Sequence, residues 1–83
     1  MSYALRKQVA ATVRRLRMER GLSRGALAKR TGLHRAFLTG IESDARDLTV
    51  ESMCKIARGL DVTVPQFLLS VSTDGVPRAE GPG

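Results

Sequence analysis

The sequence predicts an all-α fold, a compact domain of five short helices, and three observations predict it. Apolar residues recur at helical spacing, as in Leu5, Val9, Val13 and Leu16, and again in Met53, Ile56, Ala57 and Leu60. Capping residues stand ahead of such windows at Ser23, Thr49 and Thr63, with glycines where helices must stop at Gly21 and Gly32. The chain carries no strand signal to set against these helical ones.

The first helix is expected over residues 2–20, with Leu5, Val9, Val13 and Leu16 forming its buried stripe and Arg6, Lys7, Arg14, Arg15 and Arg20 mostly on other faces. Gly21 ends it as a left-handed cap and Leu22 folds back onto the core. Ser23 caps the second helix, residues 24–30. Gly32 sits where the chain must reverse, a place that often needs positive φ. The third helix is expected over 34–43, with a polar loop over 44–48 after it. Thr49 caps a fourth helix over 50–59. Thr63-Val64-Pro65-Gln66 reads as a capping box with Pro in the first turn, opening a fifth helix over 64–69. Gly75, Pro77, Gly81, Pro82 and Gly83 dominate the C-terminal end, so residues 70–83 are expected to form a flexible C-terminal tail and 1–69 the domain.

At 83 residues the chain holds one small domain, which pairing with a second copy would help to stabilise. Only 4% of residues are aromatic against 42% hydrophobic, as expected for a helical core of Leu, Val, Ile and Ala. The net charge of +6 is uneven: residues 1–46 hold eleven basic and three acidic side chains, residues 47–83 three basic and five acidic. Arg outnumbers Lys eleven to three. A basic half rich in Arg suits a polyanion-facing side, because guanidinium matches phosphate and guanine bidentately. Cys54 is the single cysteine, so no intrachain disulfide forms, and one Cys with one His cannot make a structural zinc site. No metal or other cofactor is expected. With no apolar run of membrane-spanning length and no secretory pattern, the expected location is the cytoplasm.

The most informative segment runs over residues 24–42. Leu27, Ala28, Leu33, Leu38 and Ile41 are the positions that pack when two short helices cross steeply. His34, Arg35, Ala36, Phe37 and Thr39 are left facing outward. This is the arrangement of a helix-turn-helix whose second helix enters a DNA major groove. Arg35, at the start of that helix, is the foremost candidate for base contact, through O6 and N7 of guanine. Ala36 and Thr39 can meet a thymine methyl or a base edge, or serve as clearance, and His34 suits a base edge or a phosphate. Arg24 lies at a helix N-terminus that attracts anions and, with Arg46, is a candidate phosphate clamp. Arg46 has two further readings, a reach into the minor groove and a loop charge paired with Asp44 or Asp47. Phe37 either leans on the sugar-phosphate backbone or closes the core edge. Cys54 reads as a small core or interface residue.

Residues 9–68 resemble the lambda-repressor-like, Xre-type helix-turn-helix family. The likeness rests on Arg17-Met18-Glu19-Arg20-Gly21-Leu22-Ser23, Leu27-Ala28, Gly32-Leu33, Leu38, Ile41-Glu42, and Ile56-Ala57 with Leu60 and Val62 beyond them. Gly32-Leu33-His34-Arg35, Phe37-Leu38-Thr39-Gly40-Ile41-Glu42 and Ala45-Arg46-Asp47-Leu48-Thr49 look like the controller proteins of restriction–modification systems. That resemblance implies a homodimeric transcriptional regulator on a double-stranded DNA operator with paired half-sites, with RNA polymerase as a further partner, no membrane and no enzymatic activity. It implies an ion pair between Arg17 and Glu42 that fixes the recognition helix, with Arg17 also touching phosphate. Ser43, next to that pair, is counted among the phosphate contacts. The dimer would bury Val64, Phe67, Leu68 and Cys54. Three residues depart from the family pattern: Arg24 stands where Gln is common, Ser43 where a basic residue is common, and Asp47 where Asn is frequent. The operator sequence therefore does not carry over. An antitoxin, a phage-type repressor, or a helical interaction module without DNA binding are the alternatives the fold allows.

Overall fold

A computed structural model describes residues 1–75. Five helices succeed one another in order: α1 Tyr3–Glu19, α2 Arg24–Thr31, α3 Arg35–Asp44, α4 Val50–Gly59 and α5 Val64–Gly75. The caps explain most of the boundaries. Ser2 Oγ accepts from Leu5 N at 3.1 Å and Ser23 Oγ from Ala26 N at 3.0 Å. Thr49 and Ser52 close a capping box at the start of α4. At α5, Thr63 N donates to Gln66 Oε1 at 2.8 Å and Gln66 N to Thr63 Oγ1 at 3.1 Å, so the pattern at 63–66 is a working box. Gly21, at φ 65°, ends α1 in a Schellman motif: Leu22 N donates to Arg17 O at 3.1 Å and Gly21 N to Met18 O at 3.0 Å. The same motif ends α4 with Asp61 at φ 63° in place of glycine, Val62 N donating to Ala57 O at 3.0 Å.

Each helix packs mainly on two others, and the contacts close a ring: α1 on α3, α3 on α2, α2 on α4, α4 on α5, and α5 back on α1. Val13, Leu27, Leu38, Ile56, Leu60 and Phe67 fill its centre. Ala28 and Leu33 pack half-buried beside Leu27, Leu38 and Ile41, so all five helix-crossing positions belong to one core. The α1 stripe begins later than expected. Val9, Val13 and Leu16 are buried but Leu5 is exposed, and Ala10 and Thr12 complete the inward face.

The expected tail boundary at residue 70 is wrong. α5 continues six residues beyond 69, to Gly75. Val71 is buried one turn after Phe67 and so extends the apolar stripe. Asp74 Oδ2 accepts from Thr12 Oγ1 at 2.8 Å and Arg15 Nε at 3.1 Å, tying the end of α5 to α1. Glu19 and then Asp74, through hydrogen bonds, hold the Arg15 guanidinium above its usual pKa range. Residues 70–74 themselves hold no glycine or proline, so the breakers from 75 onward have no bearing on them. The expected tail over 76–83 lies outside the described residues. Among the described residues no helix is long and apolar enough to cross a membrane.

α2 and the end of α4 approach each other closely. A Cβ at Gly59 would sit 2.6 Å from Thr31 Cγ2 and 3.2 Å from Leu27 Cδ1. Thr31 is buried and its hydroxyl donates to Leu27 O at 2.9 Å, so it cannot easily give way. Gly59→Ala is expected to lower stability by about 1–3 kcal/mol. Gly40→Ala, in the exposed interior of α3 with open space around it, should raise stability by about 0.5–1 kcal/mol. Urea unfolding monitored by circular dichroism measures both, and an unchanged midpoint for Gly59→Ala would contradict the close-packing argument.

Candidate nucleic-acid interface

The turn between α2 and α3 is built by three local devices. Gly32 adopts φ 74° and its N–H donates to Ala28 O at 2.9 Å. Thr31 Oγ1 accepts from Leu33 N at 3.2 Å, which turns the chain toward α3. His34 is the N-cap of α3 and not its first helical residue; its side chain makes no capping bond and stays exposed. α3 therefore begins with free backbone donors and with no acidic residue in its first turn.

α3 divides cleanly between two faces. Leu38, Ile41 and Glu42 are buried, whereas Arg35, Ala36, Thr39, Gly40 and Ser43 are exposed. Phe37 lies half-buried against the core, at the boundary of the two. Thr39 Oγ1 donates to Arg35 O at 3.1 Å, so its oxygen lone pairs are what it offers outward. Ser43 turns its backbone carbonyl to Lys7 Nζ at 3.0 Å, which places a cation from α1 at the negative end of α3.

Arg17 and Glu42 are brought together as a bidentate pair, Nε to Oε2 at 2.7 Å and Nη2 to Oε1 at 3.1 Å. Arg17 Nη1 also donates to Leu22 O at 2.7 Å. All three guanidinium nitrogens thus point inward and the side chain is only 11% exposed. That geometry speaks against the phosphate contact expected of Arg17. Arg24 joins the same carboxylate, Nε to Glu42 Oε1 at 3.1 Å, a contact the sequence pattern does not reveal. In the free protein Arg46 is the loop charge paired with Asp44. Its Nη2 lies 3.0 Å from Asp44 Oδ2 and its N–H donates to Asp44 Oδ1 at 3.0 Å, yet the side chain stays largely exposed.

The expected dimer set is changed. Phe67 is buried in the protomer's own core, so it is not available to a partner, and Val64 is half-buried against that core. Cys54 is free and half-buried. Leu68 does remain exposed, at 48%, and Leu69, which was not expected, is more so at 68%. An apolar stripe at helical spacing gives no sign of which apolar neighbours serve the core and which a partner.

Two short helices locked over a glycine turn, the second presenting a polar face whose far side is sealed into the core, define a helix-turn-helix protein. The chain belongs to the helix-turn-helix family HTH_3, whose model matches residues 13–67. Among curated proteins it is 38% identical over 64 residues to the HTH-type transcriptional regulator SutR of Escherichia coli (strain K12), covering 77% of this chain and 36% of SutR. It is 31% identical over 64 residues to the control protein C.SmaI of Serratia marcescens, covering 77% of this chain and 76% of C.SmaI. The chain thus spans only about a third of SutR, at 36%, but most of C.SmaI. Among solved structures, the restriction-modification controller protein C.Esp1396I bound to a 19 base pair DNA duplex superposes with a TM-score of 0.81 at 29% identity, over 90% of this chain and 99% of that one. The tetramer of the same controller on its natural 35 base-pair operator gives a TM-score of 0.81 at 29% identity, over 90% of this chain and 97% of that one.

Glu42→Gln removes the one negative charge that Arg17 and Arg24 share. It is expected to lower stability by about 3–5 kcal/mol, as for other broken buried pairs. Chemical denaturation of the variant checks this, and a loss below about 1 kcal/mol, the range of surface pairs, would contradict the buried geometry.

Proposed function

We propose that this chain is a sequence-specific regulator of transcription of the restriction–modification controller type, acting as a homodimer on paired half-sites in double-stranded DNA. One observation carries the reading: α3 seals Leu38, Ile41 and Glu42 inward and leaves Arg35, Ala36 and Thr39 outward on a helix that is otherwise held by the fold. Support comes from the likeness to a control protein and to controller structures seen on duplex DNA. In this reading Arg35 reads a base and Ala36 and Thr39 allow or make contact beside it. His34, Ser43, Phe37, Arg24 and Arg46 border the phosphate track. Arg46 reaches phosphate by releasing Asp44, its own side chain being 72% exposed, while Asp44, at 15%, keeps the bond from the Arg46 N–H. The chain acts by binding, not by catalysis, and works in the cytoplasm beside its promoter and RNA polymerase.

Leu68 and Leu69 of α5 are the partner-facing residues in this reading. Two copies joined there would set recognition helices about one duplex turn, roughly 34 Å, apart.

Arg35→Ala is expected to relax preference at one base pair of a selected operator, with about 1–3 kcal/mol of discrimination lost there. Fluorescence anisotropy against operators substituted one position at a time reads this out. Retention of full selectivity would remove Arg35 from base readout. The double change Leu68→Glu with Leu69→Glu should leave the helical circular dichroism intact and shift sedimentation to the monomer. A dimer that persists would place the interface elsewhere.

A further inference from the structure

Glu42 serves two arginines at once, and the two are held differently. The carboxylate is 1% exposed. Arg17 grips it with Nε and Nη2 and closes its remaining nitrogen on Leu22 O, so nothing of its guanidinium is left over for a ligand. Arg24 touches it with Nε alone, at 3.1 Å, and its side chain is 39% exposed. Among the described residues, neither terminal nitrogen of Arg24 has a partner. Two cations on one anion also leave a net positive charge at this point.

We propose that Glu42 is a positioning residue for Arg24. It holds the guanidinium by Nε so that the two terminal nitrogens stand ready as a fork for one phosphate of the DNA backbone. The inference rests on the DNA-binding reading above. Guanidinium is rigid and planar, so fixing one nitrogen fixes the direction of the other two. A phosphate then meets two parallel N–H donors whose side chain has already lost much of its rotamer freedom. Lysine cannot reproduce this. Its ammonium is one point charge on a flexible stem, and it has no second edge to offer phosphate while the first stays on Glu42. The same carboxylate orients α3 through Arg17, so one buried group registers the phosphate clamp against the base-reading helix.

The test compares wild type, Arg24→Lys and Arg24→Ala on a selected operator duplex and an unrelated duplex across a salt series. Arg24→Lys keeps the charge. It should keep the salt slope and bind both duplexes about two- to tenfold more weakly. Arg24→Ala should weaken both further and reduce the slope by about one per protomer. Nitrogen-15 spectra of the wild-type free protein add a readout that needs no variant to fold: the Arg24 Nε–H should exchange with water more slowly than that of exposed Arg14, and should keep its position when duplex is added. Wild-type affinity for Arg24→Lys, or an Arg24 Nε–H exchanging as fast as that of Arg14, overturns the proposal while leaving Arg35 and the DNA-binding reading standing. No salt-dependent DNA binding by the wild-type protein would overturn the DNA-binding reading itself.

Discussion

A charged carboxylate buried to 1% exposure is costly unless cations stand against it, and Glu42 on α3 finds one on each of the two preceding helices. Arg17 comes from α1, Arg24 from the first position of α2. The three helices that build and carry the recognition surface are therefore tied at one point. The gain is chiefly orientation. Desolvating the charges offsets most of their attraction, and apolar groups of similar volume often replace such buried pairs without loss of stability. An apolar triplet would not, however, demand one rotation of α3 about its own axis. The bidentate Arg17–Glu42 geometry does demand it, because two parallel hydrogen bonds at 2.7 and 3.1 Å tolerate little rotation.

The rest of the ring keeps that point in place. α2 approaches α4 closely at Gly59, where Arg30 Nη1 also donates to Gly59 O at 3.2 Å. α5 closes the circuit on α1 through Phe67 and Val71, and again through Asp74 on Thr12 and Arg15. Thr12 lies fully buried and donates to Asp74, so the end of α5 is latched beside the helix that supplies Arg17. α1 is thus held from both sides, by α3 and by α5.

What is legible in the sequence is what is local. Ser23, Thr49 and the box at 63–66 announce helix starts within three residues of the bonds they make, and Gly21 and Gly32 mark the stops. The division of α3 is legible too, because a 3.6-residue period assigns Leu38 and Ile41 to one side and Arg35 and Thr39 to the other. Contacts between distant residues leave no such trace. Arg24 meets Glu42 across 18 residues, Lys7 meets Ser43 across 36, and Thr12 meets Asp74 across 62. Arg17–Glu42 is reached only through family resemblance. Arg24 itself reads as a bare phosphate ligand, since nothing in its neighbours shows that a carboxylate lies beside it. Phe67 reads as a partner contact because an apolar residue on α5 carries no sign of which surface it fills.

The composition of the outward face of α3 depends on the space available to it. A helix with its side chains is about 10–12 Å across and a major groove about 12 Å wide, so side chains on the entering face must be few or small. Ala36, Thr39 and Gly40 are small, and a Cβ at Gly40 would meet nothing within 4 Å in the free protein. That emptiness lets backbone approach whatever lies opposite. Arg35 is the long exposed side chain at the start of α3, with a reach that Ala36 and Thr39 lack. In the proposed reading one extended residue stands among short ones, and such a residue discriminates only if the helix beneath it is set at one depth and one rotation. Arg17 and Glu42 set the rotation, and the small residues permit the depth. In the same reading the charge left over at Arg24 acts on the phosphate track without being asked to read sequence.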